Sequence, residues 1–279
     1  MIPREFSVEG KTAIVTGGGG GMGRAIATVL AEAGADVAVL DLAVARVEET
    51  AHAVEKVGRK ALPLKVDVAS EEQVRAAVEK IVSHFGTVDI LCSNAGIFLT
   101  KPVAVAPGGE EKLANRDLAG ENAETPLELA DWRKVLDINL NAAFYFARAV
   151  GPHMMRQKRG KVVITSSTAG DEGQSTLAAY CVSKAGLNAL TRVLCSEWGP
   201  YNITVNAVAP GMIRTPMIKP FEADPAVIAH SISLVPLGRL GEPREVALLA
   251  LFLASDASSY ISGQVFTIDG GARGRGTGI

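Results

Sequence analysis

Tyr180 and Lys184 are the side chains whose types and spacing most directly indicate proton transfer. They stand four positions apart in a segment of helical character, so they share one face of a helix. A free tyrosine has a pKa near ~10 and is a poor base at neutral pH, but a nearby ammonium group favours the phenolate. Ser167 closes an apolar run, and its hydroxyl could hydrogen-bond a substrate oxygen. Tyr180 and Lys184 alone would also fit the surface of an amphipathic helix. Together with Ser167 they predict acid/base catalysis on an alcohol or a carbonyl group.

A run of glycines follows the first strand candidate, at Thr16-Gly-Gly-Gly-Gly-Gly-Met-Gly23. Glycines let the backbone turn sharply and bring N–H groups against a pyrophosphate, whose charge the N-terminus of a helix favours. Such a run could also be a flexible linker, but this one stands between a strand and a helix. It predicts a phosphate-binding turn with contacts from Gly17, Gly20, Gly21, Met22 and Gly23.

Asp41, at the end of the second strand candidate, indicates which dinucleotide binds. It stands eighteen positions after Gly23, near the offset of about 20 residues expected for the carboxylate that holds a ribose hydroxyl pair. A solvated strand-end acid is the alternative. A 2′-phosphate beside Asp41 would be repelled, and Gly20 and Leu42 occupy the neighbouring positions where NADP would require Arg or Lys. We therefore predict NAD, whose positive nicotinamide ring would further favour the phenolate of Tyr180.

The elements that must position these residues alternate along the chain. Short apolar runs predict strands at 12–16, 36–41, 61–67, 88–95, 161–167, 203–210 and 264–269. Segments of helical period include 22–33, 71–85, 178–198 and 243–254. This alternation predicts an α/β fold with right-handed crossovers. Because the strands are continuously apolar, we expect a parallel sheet covered on both faces, with ligands at the carboxyl ends of its strands.

Composition limits the class of protein. The chain has 279 residues, of which 48% are hydrophobic, enough for one large core, and we predict a single catalytic domain over 1–279. The net charge of -2 argues against nucleic acid or an anionic membrane as a partner. The four histidines lie far apart and the three cysteines form no CxxC pair. We therefore expect no metal site and a reducing compartment.

Neither end of the sequence carries a recognisable membrane or export signal. Residues 1–11 include charges of both signs and no apolar core of a signal peptide. The longest apolar run near the other end, 246–254, is too short to span a bilayer. The expectation is a soluble, cytoplasmic protein.

The whole pattern resembles the short-chain dehydrogenase/reductase family over nearly the entire chain. The first matches are the glycine turn, Asp67 after the third strand, and Asn94-Ala95-Gly96 after the fourth. Ser167 stands thirteen residues before Tyr180, as in the family. The remaining matches are Asn139, Tyr180-x-x-x-Lys184, Pro210-Gly211 after the sixth strand, and Ile213 and Thr215 beyond it.

The resemblance implies a role for each matched residue. Tyr180 would be the general acid/base, Ser167 would orient the substrate oxygen, and Lys184 would lower the tyrosine pKa and bind the nicotinamide ribose. Asn139 would hold the lysine through a water relay, although outside this context a backbone-bonded helix amide is the simpler interpretation. Further cofactor contacts would come from Leu42, Asp67, Val68, Asn94, Ala95, Gly96, Pro210, Gly211, Ile213 and Thr215. Of these, Asp67 and Val68 would flank the adenine, and Ile213 and Thr215 would contact the carboxamide.

The resemblance also implies a Rossmann-type doubly wound sheet of seven strands and a homotetramer. The sequence departs from the family at an inserted loop, about 98–126, which leaves thirty-five residues between Gly96 and Trp132. We expect this loop to cover the substrate pocket or to reach a neighbouring subunit; the alternative is a surface elaboration without a role in the chemistry. The Gly/Arg-rich tail at about 271–279 is expected to be flexible.

The predicted function is an NAD-dependent oxidoreductase that interconverts a secondary alcohol and its ketone. The segments 168–177 and 212–234 would form the substrate wall, polar on one side and apolar on the other. They fit a polyol, a sugar-derived alcohol or a hydroxy acid, and Arg273 and Arg275 could meet an anionic substrate. One alternative is a 3-oxoacyl thioester reductase, which in the family usually employs NADPH. Another is a non-catalytic NAD-binding or assembly protein.

Overall fold

The computed structural model describes residues 3–105, 125–222 and 224–274. Its strands form one parallel sheet of seven in the order β3-β2-β1-β4-β5-β6-β7. The strands are β1 (Thr12–Thr16), β2 (Asp36–Asp41), β3 (Ala61–Lys65), β4 (Ile90–Ser93), β5 (Gly160–Thr165), β6 (Ile203–Pro210) and β7 (Val265–Ile268). The order reverses between β1 and β4, and ligands of such sheets bind in the crevice at that point. The predicted doubly wound α/β sheet is confirmed.

Helices cover both faces of the sheet. They are α1 (Gly21–Glu32), α2 (Val44–Lys56), α3 (Glu71–Phe85), α4 (Leu129–Leu136), α5 (Ala142–Gln157), α6 (Ala178–Trp198), α7 (Lys219–Glu222), α8 (Pro225–Ser233) and α9 (Pro243–Ala254). Successive residues of a strand point to opposite faces, so Ile14 packs in one core with α3, α5 and α6. Ala13 and Val15 pack in the other core with α1, α2 and α9. Burial on both faces explains why the five inner strands are apolar without alternation, whereas the edge strands β3 and β7 are partly exposed.

Several helix boundaries follow directly from local side-chain chemistry. The Ser70 side chain accepts a hydrogen bond from the Gln73 N–H at the start of α3, and Gly86 ends that helix with φ 80°. Glu242 and Glu245 form a capping box at the start of α9. Such capping pairs satisfy N–H groups that have no partner within the helix. The predicted bounds 71–85, 178–198 and 243–254 match the observed helices.

Four of the seven strands are shorter than predicted. Two of them, β3 and β4, end where polar side chains form hydrogen bonds with the backbone that follows the strand. β3 ends at Lys65, since Asp67 accepts from the Ala69 N–H in a local turn. β4 ends at Ser93, since the next two N–H groups donate to the Thr16 hydroxyl. Side chains that bond nearby backbone in this way compete with strand pairing. The strand predicted at 264–269 is one residue shorter at each end, as β7, and the helix predicted at 22–33 begins and ends one residue earlier, as α1.

The inserted loop and the tail are described in part. Residues 106–124 of the predicted loop at 98–126 lie outside the described residues, as do residues 275–279 of the predicted flexible tail. Within the described part of the tail, Ala272–Gly274 form a short 3₁₀ turn. The side chain of Arg273 in this turn makes ion pairs with Asp171 and Glu172, so it is already paired and not free for an anionic substrate.

Candidate active site

Tyr180 and Lys184 lie on one face of α6, as their spacing predicts. The Lys184 Nζ lies 5.5 Å from the centroid of the Tyr180 ring and donates a hydrogen bond of 2.8 Å to the Thr165 carbonyl at the end of β5. The lysine is 3% exposed. Burial lowers the pKa of Lys184 to about 8, because the interior disfavours its charged form. The ammonium is therefore held beneath the tyrosine by the carboxyl edge of the sheet.

Burial and hydrogen bonding act on the pKa of Tyr180 in opposite directions. Burial raises the pKa of Tyr180, a hydrogen bond with the Ser167 side chain lowers it, and the Cys181 thiol raises it. The resemblance implies that Lys184 lowers this pKa, but desolvation of the phenol is the larger effect in the protein alone. In the protein without a cofactor, burial therefore favours the neutral phenol of Tyr180.

Ser167 lies two residues beyond the end of β5 and does not close the strand as predicted. Its Oγ accepts a hydrogen bond of 3.2 Å from the Ala169 N–H and so begins the 3₁₀ turn Thr168–Gly170. A serine that bonds the backbone two residues on favours a turn over a strand. Ser167 is 8% exposed, and its side chain hydrogen-bonds Tyr180. The structure thus brings Ser167, Tyr180 and Lys184 together.

Asn139 lies on a π-helical turn, Asp137–Asn141, between α4 and α5. Its side-chain amide bonds both backbone groups of Ile97, each at 2.8 Å, and donates to the Ser183 hydroxyl at 3.1 Å. A Cβ on Gly96 would lie 3.4 Å from the Asn139 Oδ1 and 3.6 Å from the Lys184 Nζ. Asn139 therefore ties the segment after β4 to α6 beside the lysine. Inserted π turns are frequent at functional sites.

The glycine turn is packed so closely that larger residues would not fit. Gly17 has φ +63°, and a Cβ there would lie 2.9 Å from the Ala95 Cα. Gly21 has φ +50°, and a Cβ on Gly23 would collide with the Gly17 carbonyl. Gly20 precedes α1 without a side-chain cap and with open space where its Cβ would be. The start of α1 thus presents backbone N–H groups without a side-chain cap, beside the free space at Gly20, which suits a pyrophosphate.

Residues that follow β4, the neighbour of β1 in the sheet, hold this turn through hydrogen bonds. The Thr16 hydroxyl accepts from the N–H groups of Asn94, at 2.9 Å, and Ala95, at 3.0 Å. The Asn94 side chain donates to the Thr16 carbonyl and accepts from the Thr165 hydroxyl. Polar side chains therefore link the ends of β1, β4 and β5. Thr16 makes three of these hydrogen bonds, although the sequence prediction gave it no role of its own in the glycine turn.

Asp41 ends β2 and reaches the glycine turn. One carboxylate oxygen accepts from the Gly19 N–H at 3.1 Å, and the other accepts from the Ala43 N–H at 3.2 Å. Leu42, beside it, is exposed. A Cβ placed on Gly19 would lie 2.9 Å from the Arg46 Cβ and 3.0 Å from the Asp41 Oδ2. Arg46 is thus a basic neighbour of Asp41 that the sequence prediction missed, because it comes from the first turn of α2.

The other predicted cofactor residues lie mostly along the same carboxyl edge. Asp67 and Val68 follow β3, which pairs with β2, and Gly211 follows Pro210 at the end of β6. Thr215 lies against Gly21, with its Cβ 3.4 Å from the position of a Cβ there. Ile213 differs, because its side chain is buried against Gly241. That side chain fills the core, so a contact with the carboxamide would have to come from the backbone of Ile213.

Two aromatic residues border the catalytic group. The Phe98 ring lies edge-on to Tyr180 at 6.2 Å and stacks on Phe221 of α7 at 5.6 Å, between ring centroids. Phe221 belongs to the predicted wall segment 212–234, and Phe98 is the first residue of the predicted loop at 98–126, although its contact with Tyr180 was not predicted. Phe98 comes two residues after Gly96, so its place after β4 was the available signal. These rings form an apolar wall beside the tyrosine hydroxyl.

The described ranges hold neither a metal cluster nor a membrane-spanning helix. Within residues 3–105, 125–222 and 224–274, no three side chains of His, Cys, Asp or Glu cluster closely enough to hold a metal ion. None of the helices in the same ranges has the length and apolar character needed to cross a membrane.

The fold and this site define a dinucleotide-dependent oxidoreductase. A family model described as enoyl-(acyl carrier protein) reductase matches residues 17–273. The chain is 36% identical over 264 residues to 3-oxoacyl-[acyl-carrier-protein] reductase FabG of Thermotoga maritima, covering 95% of this chain and 98% of that protein. It is 34% identical over 272 residues to 2-dehydro-3-deoxy-D-gluconate 5-dehydrogenase of Pseudoalteromonas atlantica, covering 97% and 99%.

A solved structure agrees with these sequence relatives. It is described as that of an NAD(P)-dependent gluconate 5-dehydrogenase from Beutenbergia cavernae, with bound NADP at low occupancy. It superposes with a TM-score of 0.83 at 36% identity, covering 97% of this chain and 100% of that one. The chain belongs to the short-chain dehydrogenase/reductase family. It is an NAD(P)-dependent oxidoreductase that interconverts secondary alcohols and ketones.

Proposed function

We propose that this enzyme uses NAD and that Tyr180 is its general acid/base. The observation that carries the proposal is the meeting of Ser167, Tyr180 and Lys184 at the carboxyl edge of the sheet. The glycine turn that fits a pyrophosphate begins at the same edge, after β1. A proton-transfer group beside a dinucleotide crevice is the arrangement that alcohol oxidation requires.

The residues of this chain divide the chemistry as follows. In the oxidation direction the Tyr180 phenolate accepts the hydroxyl proton of the substrate, and in the reduction direction the Tyr180 phenol donates a proton to the carbonyl oxygen. The Ser167 hydroxyl donates a hydrogen bond to the substrate oxygen, and the Lys184 ammonium stabilises the phenolate. Asn139 keeps the segment at Gly96 in place beside the lysine. The glycine turn and Asp41 would hold NAD, which would supply the hydride acceptor for this oxidation.

The substrate is proposed to be a polyol, a sugar-derived alcohol or a hydroxy acid. The gluconate dehydrogenases among the relatives act on substrates of this chemistry by their names. A second candidate is reduction of a 3-oxoacyl thioester, favoured by the name of the Thermotoga relative and by the description of the matching family model. A screen of polyols, sugars, hydroxy acids, sterols and a 3-oxoacyl thioester, read as formation or consumption of NADH, separates the two. Turnover of the thioester alone would contradict the first candidate.

The preference for NAD over NADP is proposed from the position of Asp41. We expect Asp41→Ala to lower kcat/KM with NAD by roughly 10–100-fold, because the ribose hydroxyls lose their acceptor. We expect kcat/KM with NADP to rise, because a like charge is removed while Arg46 remains beside the turn. Glu55→Gln, which alters an exposed carboxylate of α2, should leave the NAD/NADP ratio unchanged. Equal kcat/KM values for both cofactors in the unsubstituted enzyme would refute the preference.

We propose that the enzyme is a homo-oligomer, and specifically a tetramer. Phe144 on α5 and Val182 and Val193 on α6 are large apolar side chains exposed on neighbouring helices. Exposed apolar surface of this kind is typical of subunit contacts. Light scattering should give a mass of about four chains, and a mass of one chain would contradict the proposal.

The proposed location is the cytoplasm. Cys92, Cys181 and Cys195 are free thiols, which suits a reducing compartment.

A further inference from the structure

The C-terminal turn Ala272–Gly274 returns to the loop 168–177, which we call the substrate loop. The Arg273 guanidinium bridges two neighbouring carboxylates of this loop, those of Asp171 and Glu172, each at 2.9 Å. The backbone of the turn is itself fixed, since Asp269 accepts from the N–H groups of Gly271, at 2.9 Å, and Arg273, at 2.8 Å. One arginine from the chain end therefore holds the start of the loop.

The contact continues from the surface into the core. The second carboxylate oxygen of Asp171 accepts from the Asn188 side chain at 2.9 Å. The Asn188 oxygen accepts from the Ser166 hydroxyl at 2.6 Å, and that hydroxyl also lies 3.2 Å from the Lys184 carbonyl. Ser166 and Asn188 are at most 3% exposed. Arg273 is thus connected through buried hydrogen bonds to the residue next to Ser167 and to the backbone of Lys184.

The packing of the loop shows why its position matters for the catalytic group. A Cβ on Gly170 would lie 2.9 Å from the Lys184 carbonyl carbon and 3.1 Å from the Asn188 Nδ2, so the loop lies directly against α6 there. At the other end of the loop, the Thr176 carbonyl accepts from the Lys101 N–H at 2.8 Å. Thr176 has φ 67°, a strained conformation for a β-branched residue. The loop is thus held at both ends by distant segments of chain.

We propose that Arg273 is a positioning residue that pairs with both Asp171 and Glu172, reduces their mutual repulsion and so holds the substrate loop against α6. Without the guanidinium, two adjacent carboxylates would repel each other, and Asp171 would no longer be directed towards Asn188. The loop would then move away from the helix, and the wall that orients the substrate would loosen. Arg273 reaches no reacting atom in this arrangement. The inference rests on the proposed function only in that the loop borders the substrate.

The test compares Arg273→Gln with Arg273→Lys and with Arg244→Gln. Arg244 makes a similar exposed ion pair with Glu32, at 2.7 Å, where α9 meets α1, and serves as the matched control. In Arg273→Gln we expect the KM of the best substrate from the screen to rise about tenfold, with kcat within about threefold, since only positioning is lost. Lysine should restore part of the KM, because it keeps the charge but not the two-pronged geometry.

A second measurement does not depend on turnover. Amide hydrogen exchange in the substrate loop should be about tenfold faster in Arg273→Gln, while peptides of α1 and the affinity for NADH stay unchanged. Arg244→Gln should leave loop exchange and KM as they are. If exchange in the loop is unaltered, or if NADH affinity falls along with KM, the positioning role is refuted. Selective loss of anionic substrates without faster exchange would also overturn it, because Arg273 would then bind substrate directly. An enzyme that turns over nothing in the screen, yet shows the exchange change, would refute the proposed function alone.

Discussion

Replacing Tyr180 with phenylalanine should lower kcat by about 10³-fold or more, since a positioned acid/base group contributes roughly 10²–10⁴-fold. Phenylalanine keeps the ring that packs at 6.2 Å from Phe98, so the fold and the dinucleotide crevice should be preserved. NADH affinity, measured by fluorescence titration, should therefore change by less than about threefold, in contrast to kcat. The substitution removes only the hydroxyl that exchanges the proton.

The control for this variant is Tyr260→Phe. Tyr260 is fully exposed on the surface, and removing its hydroxyl should leave both kcat and NADH affinity unchanged. Retained turnover in Tyr180→Phe would show that another group moves the proton. A chain that binds NADH but turns over no substrate even with Tyr180 in place would favour the non-catalytic binding protein.

Replacing Lys184 with methionine should reduce turnover and raise stability at the same time. We expect kcat to fall by about 10²–10³-fold, because the phenolate of Tyr180 loses its stabilising ammonium. The lysine is buried, and its pKa in the folded protein is about 8 against an ordinary value of 10.5. Burial of the charged form therefore opposes folding at neutral pH, and methionine removes that cost.

The effect of Lys184→Met on the free energy of unfolding should depend on pH. Between pH 8 and 10.5 the unfolded chain binds more protons at Lys184 than the folded protein does, so the lysine-containing protein gains stability as pH rises through this range. Below pH 8 the cost is fully present and amounts to about 3 kcal/mol. Loss of the hydrogen bond to the Thr165 carbonyl lowers the stability of the Lys184→Met protein by about 1 kcal/mol and so offsets part of this gain. Lys184→Met should thus be about 1–2 kcal/mol more stable at pH 7, and the difference should shrink above pH 8.

Lys161→Met provides a matched comparison. Lys161 is a half-buried lysine near the opposite, amino end of β5, and burial lowers its pKa as well. This variant should show a smaller change in stability and no change in kcat, since it lies away from the candidate site. The free energy of unfolding in denaturant, at pH 7 and pH 10, and kcat should be measured for the unsubstituted protein, Lys184→Met and Lys161→Met. A Lys184→Met protein that is less stable at pH 7, or that retains its turnover, would contradict this role of the buried lysine.

Much of the fold and of the site follows from patterns that are local in sequence. Continuous apolar strands predict the covered parallel sheet, because both faces of each strand must be buried. The four-residue spacing of Tyr180 and Lys184 predicts their common face, because helix geometry alone sets it. Asp41 meets the glycine turn for a similar reason, since β1 and β2 are joined by the single helix that the turn begins. In each case the information lies within one strand, one helix or one crossover.

The rest depends on residues that are far apart along the chain. Arg273 meets Asp171 across 102 positions, Asn139 meets Ile97 across 42, and no local pattern encodes either contact. Burial of the Tyr180 phenol, which raises its pKa, is likewise hidden from the sequence, because spacing reveals the nearby lysine but not how completely the phenol is removed from water. Desolvation and long-range pairing are set by how the finished layers pack. The residue types for the chemistry could therefore be read in order along the chain, whereas their protonation and their supports were decided by tertiary structure.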